Sequence, residues 1–168
     1  MRFAEPGDLS AFEEMLRTYL KEQEASSPVR LTRKTVDWYR NLAHSYLKGS
    51  LFGTLVLGEV ESEVGPQVVG FALAGEDLGQ PRVDTTLGKV AVVWLVWVAP
   101  EHRKSLAALG MLLFGRPKLL ELGFETAVMD VRENNPEGKA LTLAFGAHPE
   151  EMVYHFPLKE EPRGQRPA

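Results

Sequence analysis

Residues Lys89–Val98 form an almost unbroken apolar run, Lys-Val-Ala-Val-Val-Trp-Leu-Val-Trp-Val, in a chain of 168 residues. A run of that length bounded by turn residues has no polar face to turn to water, so it reads as a strand covered on both sides. It is too short to cross a bilayer as a helix. A strand covered on both sides lies inside a layered domain. Immediately after it come Ala99-Pro100-Glu101-His102-Arg103-Lys104-Ser105, a short basic turn, and then Leu106–Phe114, which reads as a helix. Such a turn gathers unpaired backbone N–H groups, the positive end of a helix dipole and two cations at one point. That is a place where phosphate binds.

The elements around this run follow from periodicity. Arg2–Glu5 reads as a short strand closed by Pro6-Gly7, with Asp8 at a helix-cap position. Leu9, Phe12, Leu16, Tyr19 and Leu20 then recur at helical spacing, and Lys21–Pro28 breaks the pattern. A second helix begins after Thr32, lined by Val36, Tyr39, Leu42, Ala43, Tyr46 and Leu47, with Gly49 as its stop. Leu51–Val60 and Gln67–Ala74 form a hairpin about Glu61–Pro66, and Gly75–Gly88 reads as a polar loop. The helix after the basic turn is expected to kink or restart near Arg116 because of Pro117, and to end at Gly123. Phe124–Val131 reads as a strand, Asn134-Asn135-Pro136 as a helix start, Ala140–Phe145 as a short helix and Met152–Leu158 as a last strand. The order is β-α-α-β-β-β-α-β-α-β. This makes one domain over residues 1–158, with residues 159–168 as a disordered tail.

Composition narrows the function. The chain has no cysteine, which excludes disulfides and thiolate chemistry and fits a cytoplasmic protein. Its net charge of −4 argues against a nucleic-acid partner. With no signal-like or membrane-spanning run, no membrane partner is expected either. His44, His102, His148 and His155 show no ligand-like spacing with carboxylates, so no metal is expected.

The element order, together with Val98, Pro100, Arg103 and Ala108 at the exit of the long strand, resembles the GNAT (Gcn5-related N-acetyltransferase) superfamily. Its members carry Val-x-Pro-x-x-Arg-x-x-Gly-x-Gly/Ala there. Leu106 stands at the first glycine position. The resemblance implies a mixed, mostly antiparallel central sheet with helices on both faces, acetyl-CoA as acyl donor, and transfer of acetyl to a primary amine of a small molecule or peptide. By the same resemblance the pantetheine pairs with backbone groups of Val96, Trp97 and Val98. The pyrophosphate rests on the segment Arg103, Lys104, Ser105, Leu106, Ala107 and Ala108, with Asn135 contributing from the next helix start. A homodimer is compatible with the family.

The chemistry is less legible. An amine of pKa near ~10.4 is mostly protonated at neutral pH, and deprotonation costs about 4–5 kcal/mol. A base is therefore needed, as is a proton donor for the leaving thiolate. Many family members use a tyrosine four residues before the closing glycine of the last helix. Thr142 occupies that position here, and a threonine hydroxyl is a poor acid. Tyr154 and His155 are the remaining catalytic candidates, on a strand whose alternation turns one of them inward. His102, Glu76 and Asp77 are further titratable groups near the turn and strand ends, and Glu59, Glu61 and Glu63 read as a solvated hairpin face. Two alternatives stand beside the transferase: a GNAT-fold protein that binds CoA or another ligand without catalysis, and a purely structural α/β domain.

Overall fold

The computed structural model describes residues 1–25, 33–76, 83–84, 88–103, 105–132 and 134–147. In chain order the elements are β1 (Arg2–Phe3), α1 (Leu9–Ala25), α2 (Arg33–Leu47), β2 (Gly53–Ser62), β3 (Gly65–Gly75), β4 (Val83–Asp84), β5 (Gly88–Val98), α3 (Ala107–Glu121), β6 (Thr126–Val128) and α4 (Pro136–Ala144). The expected Met152–Leu158 strand and the tail 159–168 lie outside the described residues. The sheet runs β1-β2-β3-β5-β4, and β6 pairs with β5. Every pairing is antiparallel except β5 with β6, which are joined by the α3 crossover.

Burial divides the molecule into two layers about the sheet. On one face α1 and α2 pack Phe12, Leu16, Leu20, Val36, Leu42, Ala43 and Tyr46 against Leu55, Leu57, Phe71, Leu73, Leu95 and Trp97. On the other, α3 sets Ala107 and Met111 on Val56, Ala72 and Val98. Beside them Leu112 lies on Ala74 and Val93. The long apolar run is therefore covered on both faces, as its composition requires. Tyr46 fixes α2 to the sheet: its hydroxyl donates to the carbonyl of Glu76 at 3.0 Å and accepts from Trp94 Nε1 at 3.0 Å. Its ring lies over the paired residues Gly53 and Gly75, where an added Cβ would come within 2.6 and 2.7 Å of it.

The structure departs from the sequence expectations at five places. Asp8 does not cap α1; its carboxylate accepts from the N–H of Glu5 at 2.8 Å, closing a 3₁₀ turn over Pro6–Asp8, and clamps Arg2. Helix α1 continues through Lys21 to Ala25, because its charged last turn still has Glu22 reaching to β5. Helix α3 runs unbroken through Pro117, with no restart at Arg116. Both Pro117 and Leu113, whose carbonyl loses its donor at Pro117, are exposed, so that carbonyl is on the solvent side of the helix, where its loss of a partner costs little. The strand read over Phe124–Val131 shortens to Thr126–Val128, and the polar loop Gly75–Gly88 contains the two-residue β4. Gly123 does end α3, at φ +83°.

Candidate functional site

The two ends of β5 are paired differently. Val90, Ala91 and Val92 match Thr126, Ala127 and Val128 of β6. Beyond Val92 the strand keeps β3 as its neighbour, from Gly75 opposite Val92 to Gly70 opposite Val98. Among the described residues nothing pairs with its other edge over residues 93–98. The register slips between Leu73 and Ala74, which face Leu95 and Val93 and leave Trp94 as the extra residue of a β-bulge. The bulge lies just past the last β6 pair, where the two strands part.

The free edge has a definite polarity. Ala99 donates its N–H to the carbonyl of Val69 at 2.8 Å, which sets the alternation of the ladder beyond the bulge. Residues 99, 97 and 95 turn their N–H and C=O to β3, whereas Val96 and Val98 turn theirs to the open side. Trp97, expected to offer backbone groups to a ligand, thus has them committed opposite Phe71. Its indole N–H donates instead to Glu22 of α1 at 3.0 Å. The open side is floored by apolar groups: Val93, Val96 and Leu112 with Met129, Leu141 and Phe145.

At the end of β5 the chain makes a second 3₁₀ turn, Pro100–His102, and enters α3. Arg103 does not project freely. Its Nε donates to the carbonyl of Val98 at 3.0 Å and its Nη2 pairs with Glu22. One carboxylate on α1 therefore holds both the Trp97 ring and the Arg103 guanidinium. The hydroxyl of Ser105 donates to the carbonyl of His102 at 2.6 Å and accepts from the N–H of Ala107, the first residue of α3, at 3.2 Å, while Leu106 is the N-cap residue. Among the described residues the N–H groups of Leu106, Ala108 and Leu109 meet no acceptor. These donors face the start of the helix, where the dipole favours an anion. Leu106 is 79% exposed. Lys104 lies outside the described residues. Asn135 caps α4, its Oδ1 accepting from the N–H of Gly138 at 2.9 Å.

On the α1/α2 face the bulge turns Trp94 toward Trp38 of α2, ring centroids 5.2 Å apart and near-perpendicular. Trp38 packs in the same way on Tyr39 at 4.8 Å, and Tyr19 meets Phe71 edge-on at 6.4 Å. Burial pushes the Tyr39 phenol above its ordinary value. Burial does the same to Tyr19, reinforced by Tyr39 and opposed by Arg132. Both phenols are therefore neutral and protonated at physiological pH. Sequence reading took Tyr19 and Tyr39 as core positions of their helices; the half-exposed aromatic wall they form with Trp38 and Trp94 depends on the bulge. Glu22 was missed because its partners are 75 and 81 residues away.

The expected acid position is no acid: the Thr142 hydroxyl donates to the carbonyl of Lys139 in its own helix at 2.8 Å. Tyr154 and His155 lie outside the described residues. Among the described residues no group of three or more histidines and carboxylates could hold a metal, and no helix is long and apolar enough to cross a membrane.

A mixed sheet with a bulged central strand, parted from its parallel neighbour and leading through a turn into a crossover helix, is the GNAT fold, and comparison with solved structures shows the same. The chain resembles AAC(6')-Iy in complex with the bisubstrate analog CoA-S-monomethyl-acetylneamine at TM-score 0.66 and 16% identity, covering 94% of this chain and 96% of that one. It resembles aminoglycoside antibiotic 6'-N-acetyltransferase AAC(6')-IG from Acinetobacter haemolyticus at TM-score 0.63 and 17% identity, covering 95% and 98%. The ribosomal-protein-alanine N-acetyltransferase of Brucella melitensis biovar Abortus 2308 gives TM-score 0.62 and 18% identity over 94% and 98%. No protein-family model and no curated protein sequence matches the chain.

Proposed function

We propose that this chain is an N-acetyltransferase that takes acetyl from acetyl-CoA and delivers it to a primary amine of a small molecule or peptide. One observation carries the reading: the open edge at Val96 and Val98 sits directly before a helix start with unpaired N–H groups. An extended pantetheine amide needs a strand edge to pair with. A diphosphate needs donors at a helix N-terminus. The chain supplies both in sequence, over the apolar floor of Val93, Val96 and Leu112.

In this reading acetyl-CoA supplies an activated acyl group, and the protein's part is positioning and polarisation. Val96 and Val98 orient the pantetheine; Leu106, Ala108 and Leu109 hold the diphosphate by their N–H groups, with Lys104 as a further cation. Arg103, Ser105 and Asn135 act by holding the turn and helix starts in shape rather than by touching phosphate. Several charge-assisted N–H bonds carry most of the grip, since the dipole adds only about 0.3–1 kcal/mol where exposed. The aromatic wall of Trp38, Tyr39 and Trp94 borders the acceptor side, and an amine is stabilised there by ring faces. Tyr154 and His155 remain the candidates for proton transfer. In this reading the chain works as one domain over residues 1–158, in the cytoplasm and without a metal.

The test is turnover: incubation with acetyl-CoA and a panel of polyamines, aminoglycosides and peptide N-termini should release free CoA with at least one acceptor. A second reading, CoA binding without transfer, is favoured by the committed hydroxyl of Thr142. It predicts saturable CoA binding and no CoA release across the whole panel.

A further inference from the structure

We infer that the acceptor is a free amino acid with a large apolar side chain, its carboxylate held by Arg132 and the Tyr19 hydroxyl and its side chain laid against Trp38 and Trp94. The inference deepens the transferase reading and rests on it for the place of the acetyl group. It starts from the segment that follows β6. Met129 packs in the α3 layer with Val93, Val96 and Leu112, and Val131 closes on Gly138 of α4, where an added Cβ would meet it at 2.9 Å. Extended chain alternates sides, so Asp130 and Arg132 turn to the opposite face, that of α1 and α2. The Tyr19 phenol on α1 accordingly feels the charge of Arg132.

Polar groups on this face stand without partners. Arg2, Arg17, Arg40 and Arg103 each pair with a carboxylate. Among the described residues Arg132 has neither an ion pair nor a side-chain hydrogen bond, and the hydroxyls of Tyr19 and Tyr39 also go unpaired. No buried side-chain oxygen among them lacks a partner, so both hydroxyls are reached by solvent. A guanidinium beside a protonated phenol offers donors to whatever enters, and donors suit an oxyanion. Arg binds a carboxylate through two parallel N–H bonds.

The direction of β5 says where that anion sits relative to the reacting amine. A pantetheine that leaves the start of α3 and pairs with Val98 and then Val96 brings the acetyl group toward the bulge at Trp94. Strand β6 runs parallel to β5, so Asp130 is nearer the bulge and Arg132 further out. The two are about 6.6 Å apart along an extended chain, and the long Arg132 side chain can close most of that distance. The anion it takes then lies within a few bonds of the amine, which is the arrangement of an α-amino acid. Trp38, 38% exposed, stands near-perpendicular to Trp94 with ring centroids 5.2 Å apart and makes an apolar corner for the side chain. A polyamine or aminoglycoside would instead bring further ammonium groups beside an arginine that no described carboxylate pairs with, which disfavours it. In the transfer the amine nitrogen forms the amide bond as the thioester C–S bond breaks, and the proton that the amine gives up balances the one that the CoA thiolate takes. The carboxylate is untouched and sets only which amine is held.

Calorimetric titration of the full chain, with CoA at saturation and with CoA absent, tests this using L-phenylalanine, L-phenylalaninamide and spermidine. L-phenylalanine should bind saturably, at least ~10-fold more tightly than its amide and more tightly than spermidine. Arg132→Gln should bring acid and amide within ~3-fold of each other, and Arg132→Lys should restore part of the difference. Tyr19→Phe, which keeps the ring, should weaken L-phenylalanine a few-fold with the circular dichroism spectrum unchanged. Equal binding of acid and amide by the wild-type chain, tighter binding of spermidine, no binding of L-phenylalanine, or a difference that survives Arg132→Gln overturns the inference. Release of CoA from acetyl-CoA is followed in parallel with the same amines. Release with spermidine alone keeps the transferase and overturns this acceptor. Arg132-dependent binding of L-phenylalanine without CoA release keeps the amino-acid site and overturns the transferase.

Discussion

The first and second halves of β5 are both largely apolar but have opposite surroundings. Val90–Val92 sits against β6, sealed in the sheet. Residues 94–98, no less apolar, have among the described residues a ladder on one edge only and end at a helix start whose first N–H groups meet no described acceptor. Buried backbone groups rarely go unpaired, so an edge left open among the described residues is what the proposed pantetheine pairing rests on. Alternation then separates neighbours within the open half: Trp97 is committed to the β3 ladder, whereas the groups of Val96 and the N–H of Val98 face the open side and the Val98 carbonyl accepts from Arg103.

The sharpest way to break that contrast is proline, which deletes an N–H and fixes φ, each variant being read against alanine at the same position. Trp97→Pro, compared with Trp97→Ala so that loss of the buried indole cancels, removes a donor from the β3 ladder and should cost about 3 kcal/mol or more, read by urea unfolding. Val96→Pro removes a donor from the open side. It should cost less than half as much, yet weaken acetyl-CoA binding at least ~10-fold by calorimetry. Equal losses of stability from the two would refute the alternation.

A smaller effect is expected at Glu22. Its pairing with Arg103 is about one-third exposed on both sides, so Glu22→Gln should cost only about 1 kcal/mol in thermal unfolding. Because that carboxylate also holds the Trp97 indole, acetyl-CoA affinity should fall a few-fold with it. Unchanged affinity would mean that the turn keeps its shape without α1.

The smallest effect serves as a control remote from β5. The Arg2 guanidinium beside Asp8 holds that carboxyl below its ordinary value of 3.8. A carboxylate lowered by folding adds stability above its unfolded pKa. That stability is lost as pH falls from 3.8 through the folded value. Asp8→Asn should flatten the acid limb of the stability curve by under about 1 kcal/mol and leave ligand binding alone.

The sequence carried the layered fold because it is written in periodicity: a continuous apolar strand, helices with one apolar line, and glycines past their ends. Its turn from β5 into α3 was legible for the same reason, being local. The site's working details were not. The bulge at Trp94 depends on the register of two strands, and the open edge depends on how early β6 stops. Arg103 reads as a phosphate ligand until Glu22 is brought beside it from the far end of α1. Composition also cannot separate a leucine that faces the sheet, such as Leu112, from one that faces away, such as Leu113.

Calorimetric titration of acetyl-CoA into the wild-type chain and into Val96→Pro addresses the open edge most directly. Saturable one-to-one binding at micromolar concentration, lost in the proline variant while its unfolding stays cooperative, is the predicted result. No heat of binding to the wild-type chain at millimolar acetyl-CoA, or equal binding by both chains, would contradict it.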